Sequence, residues 1–270
     1  MKLELTDIYI YPVKSLAGIR LTESKVELRG LQYDRRWMIT DPSGQFITQR
    51  EIPAMAQIGT LIEPPYLVLF DRNAPNDRFA IPLLSSDYTD SEIEVTVWDD
   101  DVVATMVGDE ADEWLSEKLD QPVHLVAMPS TAQRIADPRF APEGQYVSFA
   151  DGFPFLMIGT ASLDDLNSRL AHPVPMNRFR PNLVFSGAAA YEEDSFGHFK
   201  IGEQYFQGVK PCGRCMITTI DQKTASKGAE PLKTLSTYRM EGKKILFGQN
   251  VIWTGSEEGV IRVGDGIVLL

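Results

Sequence analysis

The sequence predicts a mixed α+β fold rich in strands. Short segments of strict apolar–polar alternation recur through the first hundred residues and again near the C-terminal end, only three segments carry helical spacing, and strand and helix never settle into a regular repeat. For 270 residues the expectation is one large domain or two small ones. Area scaling leaves about 12,000 Å² of folded surface against about 44,000 Å² for the open chain, so the core needs no disulfide or zinc staple.

The first strands are read from Leu3–Leu5 and Ile8–Ile10, whose side chains alternate. Asp41-Pro42-Ser43-Gly44 is a turn joining the apolar stretches Trp37–Thr40 and Gln45–Thr48 into a hairpin. Asp71–Asp77, polar with a proline inside, reads as a surface loop, and Ile93, Val95 and Val97 form one face of a later strand. In Asp109–Leu119, Ala111, Trp114, Leu115 and Leu119 share a helix face, and the acids of the first turn suit the positive end of the dipole. Thr160–Leu170 repeats Leu163, Leu166 and Leu170 behind a Thr160 or Ser162 cap. A third helix starts at Pro231 and places Leu232 beside Leu235. Strands return at Ile245–Thr254 and Val260–Val263, where Gly264-Asp265-Gly266 turns the chain into Ile267–Leu270. Strands with interspersed helices favour an antiparallel or mixed barrel over a doubly wound sheet, with a compositional seam at Asp120–Ser130.

Charge narrows the partners. A net charge of −12 repels phosphate backbones and anionic lipid, so nucleic acid and membrane surfaces are not expected partners. No apolar run approaches the ~18 residues of a membrane span. Glu4 and Asp7 interrupt the N-terminal stretch, which is neither a signal peptide nor an Arg-rich transit peptide; the expectation is a cytoplasmic protein.

Chemistry gathers at Pro211-Cys212-Gly213-Arg214-Cys215, which holds both cysteines of the chain. A structural zinc needs four ligands, yet there is no second CxxC, and His124, His172 and His198 are scattered. A thioredoxin-like dithiol wants a helix after the pair, whereas the β-branched run Ile217–Ile220 predicts a strand. A single thiolate on a soft metal, kept ionised by Lys210 and Arg214, is the third reading; two reduced cysteines packed as small hydrophobes is the fourth. Three cationic clusters stand at strand ends: Lys14-Ser15 after Tyr11-Pro12-Val13, Arg35-Arg36 before Trp37, and Arg178-Phe179-Arg180. An arginine fork suits phosphate and other planar anions, because two parallel donors meet two acceptors.

YPVKSL at Tyr11–Leu16, YDRRW at Tyr33–Trp37, DGFPFL at Asp151–Leu156, SLDDLNSRL at Ser162–Leu170 and RFRPNLV at Arg178–Val184 stand in order. They are followed by PCGRCMITTID at Pro211–Asp221, EPLKTL at Glu230–Leu235, FGQN at Phe247–Asn250 and VGD at Val263–Asp265. On these motifs, which span nearly the whole chain, the sequence resembles the MOSC family, in the branch with an N-terminal β-barrel. That branch includes the mitochondrial amidoxime-reducing component and bacterial reductases of N-hydroxylated compounds.

The resemblance implies a MOSC-type β-barrel with an N-terminal β-barrel-like domain and a few packed helices, divided as residues 1–122 and 123–270. It implies a molybdenum pyranopterin cofactor and a detoxifying reduction, independent of pyridoxal phosphate, in which R–NHOH, two electrons and two protons give R–NH₂ and water. Cys215 matches the family's metal ligand and catalytic residue, with Cys212 as supporting structure. Lys14, Ser15, Arg35 and Arg180 match positions that hold the pterin and its phosphate; Gly213 and Arg214 flank the ligand. Asp151, Gly152 and Phe153 match a segment that touches the cofactor largely through backbone groups. Asn250 stands where the amidoxime-reducing component carries a tyrosine near the cofactor.

The implied partners are a small N-hydroxylated substrate and a separate electron donor of flavoprotein, ferredoxin or cytochrome type. No cysteine follows Cys215 to build the four-cysteine cluster of a fused ferredoxin domain, and the membrane anchor of the mitochondrial relatives is not found. The alternative is a cofactor or sulfur carrier without turnover of its own; a thiol-redox protein using both cysteines is a third. Asp34 beside Arg35 reads as an ion pair, Asn182 as a turn residue, and Tyr9, Tyr11, Trp37, Phe155 and Phe179 as core. Asp221 and Glu192–Asp194 read as solvated acids.

Overall fold

The computed structural model describes residues 2–89 and 91–270. Strand Glu4–Ile10 buries Leu5, Ile8 and Ile10 and anchors the largest sheet. It pairs antiparallel with Leu183–Ser186 on one side and Ile19–Leu21 on the other. The sheet continues through Phe155–Gly159, Lys244–Trp253, Gln204–Gly213, His198–Ile201 and Ile267–Leu269, and Met240–Glu241 hangs on Lys244–Trp253. Its far edge then meets its near one: Ile267 N donates to Leu3 O and Leu5 N to Asp265 O, each at 2.9 Å. The sheet is thereby closed into a barrel with no long free edge. Phe155–Gly159 and Leu183–Ser186 run parallel, which demands a crossover, and helix Thr160–Arg169 supplies it.

Aromatic rings fill the barrel. Phe206 meets Phe155 edge-on at 5.5 Å and stacks on Phe199 at 5.8 Å, and all three are fully buried. A second layer stacks Trp37–Thr40, His124–Ala127, Asp100–Met106 and Glu92–Val97 into a four-stranded sheet, beside the meander Ile58–Glu63, Tyr66–Asp71, Ala74–Pro82. Helix Asp109–Leu119 presses Ala111, Leu115 and Leu119 into the core shared by Ile39, Leu67 and Ile81. The fold is thus β-rich and mixed α+β, as the alternating segments predict. Strands cross between the parts: Glu4–Ile10 and Glu23–Glu27 pair with strands from beyond residue 180, while His124–Ala127 completes a sheet begun at Trp37.

The structure departs from sequence expectation at several elements. Residues 74–77 of the expected Asp71–Asp77 loop belong instead to strand Ala74–Pro82, and only Arg72-Asn73 turn the chain, with Asn73 N on Asp71 Oδ1. Pro75 is tolerated because this strand is the sheet's outer edge. Helix Thr160–Arg169 has no side-chain cap; its N-cap is Gly159, and the Ser162 hydroxyl instead donates to Glu193 Oε2 at 2.8 Å. Glu193 is not solvated but wholly buried, with Gly159 N on its other oxygen, and burial pushes its carboxyl up. Asp194 pairs with Arg239, and Asp221 with Arg178. The third helix is a single turn, Leu232–Leu235.

Phe199→Ala removes a fully buried ring that stacks on Phe206 and lies tilted against Phe196. Urea unfolding of that variant is expected to show a loss of about 3–5 kcal/mol; a loss below about 1 kcal/mol would mean the barrel interior is not close-packed.

Candidate active site

The barrel's strand ends deliver five segments to one cleft. Lys14 and Ser15 follow strand Glu4–Ile10, Arg35 sits in the bend before Trp37, and Ala150–Phe153 precede strand Phe155–Gly159. Arg180 precedes Leu183–Ser186, and Cys212–Cys215 close strand Gln204–Gly213. All eleven residues singled out from sequence line this cleft of about 140 Å³: Lys14, Ser15, Arg35, Asp151, Gly152, Phe153, Arg180, Gly213, Arg214, Cys215 and Asn250.

Backbone strain concentrates at the same place. Ser15, Arg35 and Arg180 have φ of 68°, 50° and 55°, and Trp98 at the rim has 60°. A non-glycine residue held left-handed costs on the order of 1–2 kcal/mol, so four around one cleft need strong surrounding constraints. The constraints are visible. Arg35 N donates to Tyr11 O at 2.9 Å, and Lys14 N to Trp37 O at 2.8 Å. Gln49 Nε2, fully buried, donates to Ser15 O at 2.7 Å, and Gln222 Nε2 returns a bond to Gln49 Oε1 at 2.8 Å. The turn that carries Ser15 is therefore tied to the segment leaving Cys215.

The cations are arranged around Tyr11. Both guanidinium carbons lie over its ring, Arg35 at 4.3 Å and Arg180 at 4.2 Å from the centroid. The phenol donates to Pro181 O, and burial pushes its pKa up, so it remains neutral between them. Arg35 Nη1 donates to Asp34 Oδ2 at 2.6 Å and Asn182 Oδ1 at 3.1 Å, while Asp34 Oδ1 accepts Tyr11 N at 2.7 Å. Asp34, completely buried, is the ion pair the sequence suggests. Asn182 does more than turn the chain: it accepts from Arg35 and Leu156 N and donates to Tyr9 O. Arg180 Nη1 donates to Leu16 O at 2.7 Å, and burial, with Arg35 nearby, pulls its pKa down to about 10, leaving it charged at neutral pH.

Lys14 is buried, and its ammonium donates to Phe149 O at 2.8 Å and to Asp151 Oδ1 at 2.5 Å. Burial pulls the ammonium down and Asp151 holds it up. Burial pushes the Asp151 carboxyl up, but Lys14, the Trp98 N–H and Arg35 together outweigh it and hold the carboxylate, whose side chain is 65% exposed, well below the usual range. The Asp151 side chain is thus engaged by Lys14 and Trp98. Arg134 fixes the loop from beneath, donating to the carbonyls of Ser148, Ala150 and Asp151.

At the thiol end, Cys215 is exposed and precedes a 3-10 turn, Met216–Thr219, where the β-branched run predicts a strand. Thr218 and Thr219 hydroxyls donate back to Cys215 O and Met216 O, satisfying carbonyls that a ladder would have used. Cys212 is half-buried and accepts from Arg214 Nη1 at 3.2 Å, so that cation serves Cys212 rather than Cys215. Lys210 is likewise engaged elsewhere, near Asp137 and over Phe140 at 4.1 Å. Asn250 Nδ2 donates to Lys210 O.

Among the described residues no three His, Cys, Asp or Glu side chains cluster, so a metal here would have to bring most of its own ligands. The donor set fits such a group. Arginine and lysine N–H donors wall the cleft, one exposed thiol faces it, and the buried Arg214 Nε has no partner. A side chain at Gly152 would meet nothing within 4 Å, leaving open space against the backbone. Sequence reasoning missed Arg50, Trp98, Gln49, Gln222 and Arg134. Trp98, after the alternating strand Glu92–Val97 and before two aspartates, carried a signal as an exposed tryptophan in a turn; Arg134 carried none.

The chain matches two domain families: the MOSC N-terminal beta barrel domain over residues 2–122 and the MOSC domain over residues 144–268. It is 33% identical to mitochondrial amidoxime-reducing component 1 of Mus musculus, covering 98% of this chain and 82% of that protein. The human counterpart is 32% identical over the same shares. The molybdenum cofactor sulfurase of Oryza sativa subsp. japonica is 33% identical over 91% of this chain, which spans 32% of that longer protein.

Ser15→Gly relieves a left-handed side chain whose hydroxyl has no partner among the described residues. Denaturant unfolding is expected to show a gain of up to about 1 kcal/mol, the relief being offset in part by the freer unfolded glycine. A loss of that size would show the φ is unstrained. For Asp151, a carboxyl held low in the fold gives a pair intact above the ordinary value of about 3.9 and lost as pH falls towards the depressed one. The Trp98 share of the fluorescence, taken as the difference from Trp98→Phe, should stay flat from about pH 8 to about pH 5 and change only below about pH 4. A midpoint near neutrality would contradict the pairing.

Proposed function

From the premise that this chain belongs to the MOSC family, we propose that it is a molybdenum-cofactor-dependent reductase of N-hydroxylated compounds: N-hydroxylated bases, amidoximes or hydroxylamines. The observation that carries the reading is a solitary exposed thiol, Cys215, facing a cleft walled by cations in a chain of net charge −12. Relatives at about a third identity bear the name amidoxime-reducing component.

In this reading Cys215 is the one protein ligand of the metal. Arg180 and Arg35, spaced by Tyr11, meet the phosphate and pterin edge with paired donors, and Lys14 and Ser15 close the same end. Lys14 reaches the anion by exchanging Asp151 for it, which the exposure of Asp151 makes inexpensive. Gly152 and Phe153 offer backbone against the ring system, Gly213 and Arg214 flank the thiolate, and Asn250 borders the pocket from Lys244–Trp253. The first part of the chain supplies Lys14, Ser15 and Arg35 and the second the thiolate, so residues 1–122 and 123–270 build the site jointly. When bound, the cofactor supplies the two-electron chemistry that turns R–NHOH, with two electrons and two protons, into R–NH₂ and water. The protein holds and orients. Asp151 is ionised at neutral pH and is no acid, so protons come from solvent through the open mouth. Electrons come from a separate protein. No helix among the described residues is long and apolar enough to cross a membrane.

Protein made in a host that synthesises the cofactor should carry close to one molybdenum per chain and reduce an amidoxime with an artificial reductant. Cys215→Ala should lower turnover at least about a hundredfold, while Cys212→Ala stays within about tenfold. Equal loss from both would favour a dithiol. Metal that passes to an apo-acceptor without any N–O turnover would overturn the reductase in favour of a carrier, the reading that relatedness to the cofactor sulfurase supports.

A further inference from the structure

Acidic as the chain is, residues 205–250 hold eight lysines and arginines against three acids. This stretch contains Cys215 and the segments around it. Lys223, Lys227, Lys243 and Lys244 are exposed and have no carboxylate partner among the described residues. Two of them are placed next to residues that line the cleft of the thiol. The Lys244 side chain lies beside Gly213, about 3.5 Å from where a Cβ would stand, and Lys243 precedes it in the same hairpin. Lys227 Nζ donates to Arg50 O, a residue of the cleft wall, and Lys223 lies in the turn closed by Asp221. Met216, next to Cys215 in the chain, exposes 64% of its surface.

An exposed methionine beside lysines that have no carboxylate partner among the described residues is the composition of a transient protein–protein contact: a small dry centre with a charged rim that steers encounter. The charges have a sign, and it is opposite to that of the chain as a whole. We propose that this face, centred on Met216 and bordered by Lys223, Lys227, Lys243 and Lys244, docks an acidic electron-carrier protein. The proposal rests on the reductase reading above and names its partner. Electron transfer needs the donor's redox centre close to the metal, and a partner seated on Met216 is one residue from the thiolate. The lysines attract an acidic carrier while the remainder of the surface repels it, so encounter is directed to the one face where transfer is productive.

The test uses the full-length, cofactor-loaded protein with an acidic [2Fe–2S] ferredoxin and, as the opposite probe, a basic cytochrome c. Ferredoxin binding should weaken steeply with salt, and Lys227→Glu/Lys244→Glu should weaken it at least about tenfold and flatten that dependence. Lys25→Glu, on strand Glu23–Glu27, should change it little. Amidoxime reduction driven by the ferredoxin should fall in parallel, while reduction driven by a chemical reductant stays unchanged. Ferredoxin binding indifferent to the double variant, or weaker than that of cytochrome c, would overturn the docking face. Absence of turnover with the chemical reductant would instead defeat the reductase reading, and the binding measurement would still decide the surface.

Discussion

Two guanidinium groups share one tyrosine ring, and the candidate site depends on that arrangement. Arg35 and Arg180 come from connecting segments far apart in sequence, and like charges brought together in a part-buried cleft repel. The Tyr11 ring offers each a π face, Asp34 neutralises Arg35 from below, and the carbonyls of Leu16 and Arg180 take further N–H groups. Because Asp34 also binds the backbone of Tyr11, ring and cation are set by one carboxylate. The left-handed backbone at Arg35 and Arg180 follows from aiming both chains at the same ring, a geometry that a relaxed strand end does not provide.

Much of the barrel was legible because alternation and helical spacing are local signals. Leu5, Ile8 and Ile10, or Ala111, Leu115 and Leu119, announce a buried face without reference to any partner. The loop ahead of Ala74 was misread for the converse reason: a polar strand at a sheet edge lacks an apolar face, and only its pairing with Tyr66–Asp71 reveals it. Met216–Thr219 was misread because β-branched residues favour strands, and the two threonines override that preference by bonding back to their own turn. Glu193 reads as a surface acid from sequence because its partners, Gly159 and Ser162, lie more than thirty positions away.

At the site, the cysteine pair and the cationic clusters at Lys14, Arg35 and Arg180 are legible by their clustering. Asp151–Phe153 and Asn250 are legible only through the family resemblance, whereas the residues that hold all of these in place are not legible at all. Gln49 and Gln222 are 173 positions apart and carry no pattern, yet they couple the Ser15 turn to the chain beyond Cys215. Arg134 reaches three carbonyls of the loop at Ala150, an arrangement that exists only after folding. Supporting residues of this kind are written in the tertiary contacts rather than in the order of amino acids.

The placement of Asp151 shows how such a cleft stays compatible with a folded protein before any anion arrives. Lys14 is buried, and an unpaired ammonium there would carry a large desolvation cost. A buried carboxylate would cancel it but would also compete with every incoming anion. Asp151 instead reaches Lys14 from the exposed rim, with Trp98 holding its position. Water can solvate that carboxylate as soon as it lets go, so exchanging it for a phosphate costs little on the protein side. The global charge points the same way: a net charge of −12 repels anions overall, while Lys14, Arg35 and Arg180 give the cleft the opposite local sign.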